Sequence, residues 1–65
     1  MDNLDWAPER IKILRHRLGL NQTDFAALIG TTRVSLWKYE SGITKPRDAY
    51  IIAALLKAEK EVSVA

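Results

Sequence analysis

The 65-residue chain is 48% hydrophobic and carries a formal net charge of +2, which predicts one small domain with a barely sufficient apolar core and oligomerisation as its expected further support. The absence of cysteine excludes disulfides, thiolate metal ligands and cysteine nucleophiles, and it fits a reducing compartment. Because the chain starts with an acidic, polar segment and contains no long apolar run, we expect neither a signal peptide nor a membrane span, and we expect a cytoplasmic protein.

Glycine and proline divide the chain into four short helices, and the first is predicted over residues 8–18. Proline suits the first turn of a helix, and Gly19 supplies the C-terminal stop. Ile11 and Leu14 belong to the apolar stripe of this helix. Arg15 lies at the edge of the same stripe, where an arginine needs a partner.

The second helix is predicted over residues 22–29, with Asn21 as its N-cap and Gly30 as its stop. Only about three residues separate it from a third helix, and the turn contains glycine. Two short helices joined in this way form a helix-turn-helix. The predicted apolar face of the second helix consists of Phe25, Leu28 and Ile29.

The third helix is expected to be capped by Thr32 and to end at residues 41–42. Leu36 is the only aliphatic residue on one half of this helix, so that half should face the core. Glu40 lies on the same half, where an unpaired carboxylate would be costly, and we therefore predict that Glu40 forms an ion pair with Arg15. The alternative is that the two side chains reach solvent separately.

The opposite half of the third helix is predicted to point outward. The major groove of DNA is about wide enough for one helix and offers guanine O6 and N7 to arginine or lysine, and the thymine methyl to an apolar side chain such as Val34. Trp37 has three alternative positions: along a sugar-phosphate wall, over a neighbouring loop, or folded back onto the core edge. The outward residues are Arg33, Val34, Trp37 and Lys38.

A fourth helix is predicted from residue 47 or 48 to about residue 60. Apolar residues cover nearly half of its circumference, which is more than one small core requires, so we expect it to contact both its own core and a partner subunit. The tail EKEVSVA is either a frayed terminus or a short strand paired across a dimer. Residues 1–6 and 61–65 are thus expected to be flexible or dimer-associated, outside a core of about 8–60. The candidate dimer contacts are Ile51, Leu55, Ala58, Val62 and Val64.

The charges are unevenly distributed along the chain. Residues 10–47 contain eight Lys and Arg side chains against two carboxylates, whereas both ends are mildly acidic. A basic central segment favours a polyanion-binding face, although simple solvation of these side chains is an equal alternative.

The segment RHRLGLNQTDFAALIGTTRVSLWKYESGITKP resembles the Cro/C1-type (XRE-like) helix-turn-helix family, which includes phage repressors, Cro proteins, restriction-modification controllers and antitoxins. The resemblance covers about residues 9–56 and implies an all-α, lambda-repressor-like bundle of four or five helices. It also implies a homodimer that presents two recognition helices, roughly 34 Å apart, to a pseudo-palindromic operator. A full fifth helix is not expected, which leaves the mode of dimerisation open. The resemblance is carried by Arg15, the LGLNQ of residues 18–22, Ala26, Gly30, and the YESG that precedes Pro46.

The resemblance also implies roles for individual residues. The base-reading positions are Arg33, Val34, Ser35 and Lys38. Positions that contact the DNA backbone are Asn21, Gln22, Thr32, Ser41, Thr44 and Lys45, with Trp37 as a further candidate. Arg15 and Glu40 match the internal ion pair of the family, which agrees with the prediction from the residues themselves.

These features favour a sequence-specific regulator that binds double-stranded DNA, and a repressor rather than an activator because no polymerase contact can be identified. The alternative is an antitoxin or another small interaction protein whose main partner is a protein, such as a toxin or an anti-repressor, with autoregulatory DNA binding. An enzyme is not expected: His16 is the one histidine, and no nucleophile or carboxylate pair accompanies it. No cofactor and no metal site are predicted.

Overall fold

A computed structural model of the protein describes residues 6–63, which form four helices and no strand. The helices are α1 (Pro8–Leu18), α2 (Gln22–Ile29), α3 (Arg33–Ser41) and α4 (Ala49–Ser63). The predicted bounds of the first three helices are confirmed. The structure thus has the predicted all-helical class, with four helices rather than five in the described range. None of these helices has the length and apolarity that crossing a bilayer requires.

Local hydrogen bonds set the ends of α2 and α3. The Asn21 side chain accepts a hydrogen bond from the Asp24 amide at 2.8 Å, and the Thr32 hydroxyl accepts one from the Ser35 amide at 3.1 Å. Each cap satisfies a backbone donor that the helix itself leaves unpaired. Gly30 follows α2 with φ of 81°, a conformation that side chains disfavour, and it allows α3 to begin three residues later.

One apolar core lies among the four helices, and α3 contributes least to it. Leu36 is the one fully buried aliphatic side chain of α3, and Tyr39 packs against the core with part of its surface exposed. Most of the surface of α3 is therefore left for other contacts. The buried hydrophobic residues are Trp6, Ile11, Leu14, Phe25, Ala26, Ile29, Leu36, Ile51, Leu55 and Ala58.

Leu28 corrects the predicted apolar face of α2, because 54% of its surface is exposed. At about 100° per residue, Phe25, Ala26 and Ile29 share one sector of the helix, and Leu28 lies beside that sector. The small Ala26 occupies the core position instead, and it is buried.

The dimer contacts expected on α4 also need correction. Ile51, Leu55 and Ala58 are buried within the single chain, so they do not present an exposed surface to a second copy. Their spacing of four and three residues keeps all three on the face that packs against the other helices. Val62 is partly buried against the same core, and Val64 lies outside the described residues.

The tail after residue 60 is helical as far as Ser63, rather than a strand or a frayed end. The Ser63 hydroxyl donates a hydrogen bond to the Glu59 carbonyl at 2.9 Å, one turn earlier. Within this helical segment, Val62 packs against the core of its own chain.

Trp6 is a core residue, although residues 1–6 were expected to lie outside the core. Only 1% of its surface is exposed. The Arg10 guanidinium stacks on its ring, 3.8 Å from the centroid. Trp6 precedes Ala7, the N-cap of α1, and Ile11 is the fourth residue of the helix. This is the spacing of a hydrophobic staple, a signal in the sequence that would have predicted the burial.

Arg10 also joins α1 to α4 through Glu59. Its Nε and Nη2 atoms donate to the two carboxylate oxygens of Glu59 at 2.9 and 2.7 Å. The Arg10 hydrogen bond holds the pKa of the Glu59 carboxyl below its ordinary value, and burial opposes this effect. The pair was not predicted, because it joins residues 49 positions apart.

We predict that Trp6→Ala lowers the free energy of unfolding by about 3–5 kcal/mol, because it removes a large buried ring and leaves a cavity. The matched control is Trp37→Ala, which removes the same side chain from a half-exposed position and should cost less than about 1 kcal/mol. Urea titrations followed by circular dichroism measure both values. Equal losses in the two variants would contradict the burial of Trp6.

Glu59→Gln is expected to reduce stability at neutral pH and not in acid. A carboxyl whose pKa is depressed by folding contributes stability above its unfolded-state pKa and loses that contribution as pH falls through the folded-state pKa. Because both partners are partly exposed, the loss at pH 7 should not exceed about 1 kcal/mol. Urea titrations at decreasing pH test this, with the exposed Glu61→Gln as the control for removing one charge. A difference from wild type that persists in acid would contradict it.

Candidate nucleic-acid interface

The ion pair expected between Arg15 and Glu40 is present, and it joins α1 to α3. Arg15 Nε and Nη2 donate to the two Glu40 carboxylate oxygens at 2.7 and 3.2 Å. Only 6% of the Glu40 surface is exposed. The buried charge is therefore paired in a two-point geometry, which fixes orientation as well as distance.

Two further hydrogen bonds extend this pair to α2 and to the turn before it. Arg15 Nη1 donates to the Leu20 carbonyl at 3.2 Å, and Gln22 Nε2 donates to Glu40 Oε1 at 3.2 Å. One carboxylate thereby connects three helices. The Gln22 amide, a predicted phosphate contact, is held in place by this network before any ligand arrives.

The outward half of α3 is exposed as expected. Arg33 and Lys38 are exposed, and the exposed fractions of Val34 and Trp37 are 60% and 49%. Ser35 differs from the other predicted base-reading residues, because it is half-buried and its hydroxyl accepts a hydrogen bond from Thr32 at 3.1 Å. Three of the four predicted base-reading side chains thus project outward, and Ser35 forms part of the helix cap.

Trp37 stands on the outward face of α3. With half of its surface exposed, it does not fold into the core. It lines a recess of about 250 Å³ together with Arg33 and Val34. Of the three positions considered for this side chain, the core edge is therefore excluded.

The loop after α3 adds exposed polar and basic side chains beside this face. Backbone hydrogen bonds from Ile43 and Thr44 to the Lys38 carbonyl, at 3.0 and 3.4 Å, hold the loop against the end of the helix. Pro46, which follows Lys45 in this loop, is buried. Arg47 was missed as a candidate contact, although it is exposed. An open recess of about 610 Å³ is lined by Tyr39, Gly42, Ile43, Thr44, Lys45, Arg47 and Asp48.

A family model described as a helix-turn-helix domain matches residues 9–60, which include most of all four helices. The chain belongs to the helix-turn-helix domain family. Searches of curated proteins and of solved structures gave no significant match. Membership indicates a DNA-binding regulator whose partner is DNA. In the structure, α2 and α3 are two short helices joined by a three-residue turn, which is the form of this motif.

In this helix-turn-helix protein, the candidate DNA contacts lie on the second helix of the motif and on the segments next to it. Asn21 and Thr32 use their side chains as caps of α2 and α3, and both remain exposed. Ser41, Thr44 and Lys45 are exposed beyond the other end of α3. Within residues 6–63, no three histidine, aspartate or glutamate side chains gather into a group that could hold a metal ion.

Arg15→Met is predicted to destabilise the protein by about 3–5 kcal/mol, because it leaves the Glu40 carboxylate buried without a charged partner. Glu40→Leu should also destabilise it, since the Arg15 guanidinium then loses its acceptor. The double variant should recover most of the loss, because apolar residues of similar volume can replace a buried ion pair. Urea titrations of the four proteins give the coupling energy. Additive losses would show that the two side chains do not depend on each other.

Proposed function

We propose that the protein is a sequence-specific transcriptional repressor that places α3 in the major groove of an operator. The supporting observation is the outward half of α3, which combines exposed cations with exposed apolar surface. Arg33 and Lys38 can donate to guanine O6 and N7, and Val34 can contact a thymine methyl. The contacts of α3 with the core lie on its opposite half, so the helix can enter the groove without unfolding any of them.

Side chains at the start of α2 and at both ends of α3 are proposed to contact the DNA backbone. Asn21, Gln22 and Thr32 lie at the beginnings of α2 and α3, where unpaired backbone amides also favour a phosphate. Ser41, Thr44, Lys45 and Arg47 lie beyond the other end. Contacts of this kind set the position of the helix on the duplex, and the outward side chains of α3 then select the sequence.

The proposed state on DNA is a homodimer on a pseudo-palindrome, with recognition helices about 34 Å apart. The resemblance to Cro/C1-type proteins supports this arrangement. Because Ile51, Leu55 and Ala58 are buried in one chain, the dimer contact must use side chains that remain exposed. Tyr50 at the start of α4 and Ile43 in the loop before it are the large exposed hydrophobic residues of that region.

A second candidate function is that of an interaction protein, such as an antitoxin, with autoregulatory DNA binding. The exposed Leu28 supports it, since this side chain lines a recess of about 250 Å³ between α2 and α4, together with Ala54 and Lys57. This recess lies outside the outward half of α3, so protein binding and DNA binding can use separate surfaces.

Selection of duplex DNA by the purified protein tests the proposed function. We expect an inverted repeat to be enriched, and Arg33→Ala should lose about 1–3 kcal/mol of discrimination at one base pair of each half-site. The matched control is Arg17→Ala, which removes an arginine from α1 instead of α3. Arg17 lies close enough to Glu59 of α4 to lower the pKa of the Glu59 carboxyl. This control should keep the sequence preference.

The salt dependence of binding provides an independent measurement. Phosphate contacts release counterions, so the logarithm of the association constant should fall linearly with the logarithm of the salt concentration. No enriched sequence together with binding that does not respond to salt would contradict the proposed function. Copurification of a partner that Leu28→Lys abolishes would then favour the interaction protein.

A further inference from the structure

The recess on the outward face of α3 is built from three side chains at adjacent helical positions. Arg33 and Trp37 are four residues apart and Val34 and Trp37 are three apart, so all three share one face. The volume of the recess is about 250 Å³. In the described part of the chain, no other residue lines it.

The recess combines apolar walls with a cationic rim. The Val34 methyl groups and the Trp37 ring supply apolar surface, and both side chains are about half exposed or more. Arg33 supplies a planar group of hydrogen-bond donors beside them. Across residues 6–63, no carboxylate forms a salt bridge with Arg33, so its donors are available to a ligand.

DNA offers one apolar group in the major groove, the C5-methyl of thymine. Guanine offers two acceptors there, O6 and N7, in the spacing that a guanidinium matches. We propose that the recess holds the methyl group of an operator thymine while Arg33 binds a guanine in the neighbouring base pair. This inference rests on the proposed function, because it requires α3 to lie in the major groove.

The lining of the recess indicates the role of Trp37. Val34 alone would cover one side of a methyl group, whereas the Trp37 ring would form a second wall and reduce the access of water to the contact. Trp37 is thus a specificity-determining residue, rather than a contact to the sugar-phosphate backbone. The two roles differ in one measurable respect, since a backbone contact is insensitive to the methyl groups of the bases.

Replacement of thymine by uracil in the selected operator tests the proposal, because it removes the methyl group and leaves the base pairing unchanged. At one thymine next to a guanine in each half-site, we expect a loss of about fourfold or more in affinity per half-site. In Trp37→Ala and Val34→Ala, the same replacement should change the logarithm of the affinity by less than about half of the change in wild type. The control is Thr44→Ala, because Thr44 lies outside the recess. This variant should weaken binding and keep the full preference for thymine.

A second arm separates the methyl group from the other atoms of thymine. Cytosine and 5-methylcytosine are compared at the same position, and methylation should recover affinity for wild type and not for Trp37→Ala. Operator binding that depends on Arg33 but is unchanged by every thymine-to-uracil replacement would overturn the methyl recess and leave the regulator intact. A thymine preference that persists fully in Trp37→Ala would overturn the role of Trp37. Failure to select any operator would overturn both proposals.

Discussion

The paired carboxylate of Glu40 is the constraint on which the rest of the structure depends. A buried negative charge must be matched by donors, and Arg15 and Gln22 supply them from two other helices. Apolar packing is not directional, so Leu36 alone would allow α3 to rotate about its axis. The two-point contact with Arg15 restricts that rotation. Since a buried ion pair adds little stability compared with apolar packing, we infer that its main contribution here is orientation.

The orientation of α3 decides which side chains remain exposed. With Leu36 and Glu40 facing the core, Val34 and Trp37 must face outward, although both are apolar. About half or more of the surface of each remains exposed to solvent. Exposed apolar surface on a charged helix is typical of a binding face, and here it lies on α3, the second of the two helices joined by the short turn. The packing of the core and the composition of the outward half of α3 therefore follow from the same orientation of the helix.

The local features of the fold could be predicted from the sequence, and several long-range contacts could not. Asn21 and Thr32 as caps, and glycine as a stop, act within one turn, so α2 and α3 have the predicted bounds. The Arg15–Glu40 pair was predictable because each of these charged residues lies on or beside the apolar side of its own helix, where it needs a partner. Arg10 and Glu59 are ordinary on helix surfaces, and nothing local pairs them. The breadth of the apolar band on α4 suggested Ile51, Leu55 and Ala58 as dimer contacts, whereas the structure buries all three in the core of their own chain.

The side chains of the candidate site differ in whether they already form hydrogen bonds within the chain. Asn21, Thr32 and Ser35 form caps, and Gln22 binds Glu40, so their positions are set before DNA arrives. Ordering these side chains requires little further loss of entropy on binding, but their remaining capacity for hydrogen bonds is small. They are therefore suited to the backbone, where position matters more than chemical discrimination. In the proposed function, the selection of sequence then depends on the outward side chains of α3, for which the described part of the chain provides no such hydrogen bond. These are Arg33, Val34, Trp37 and Lys38.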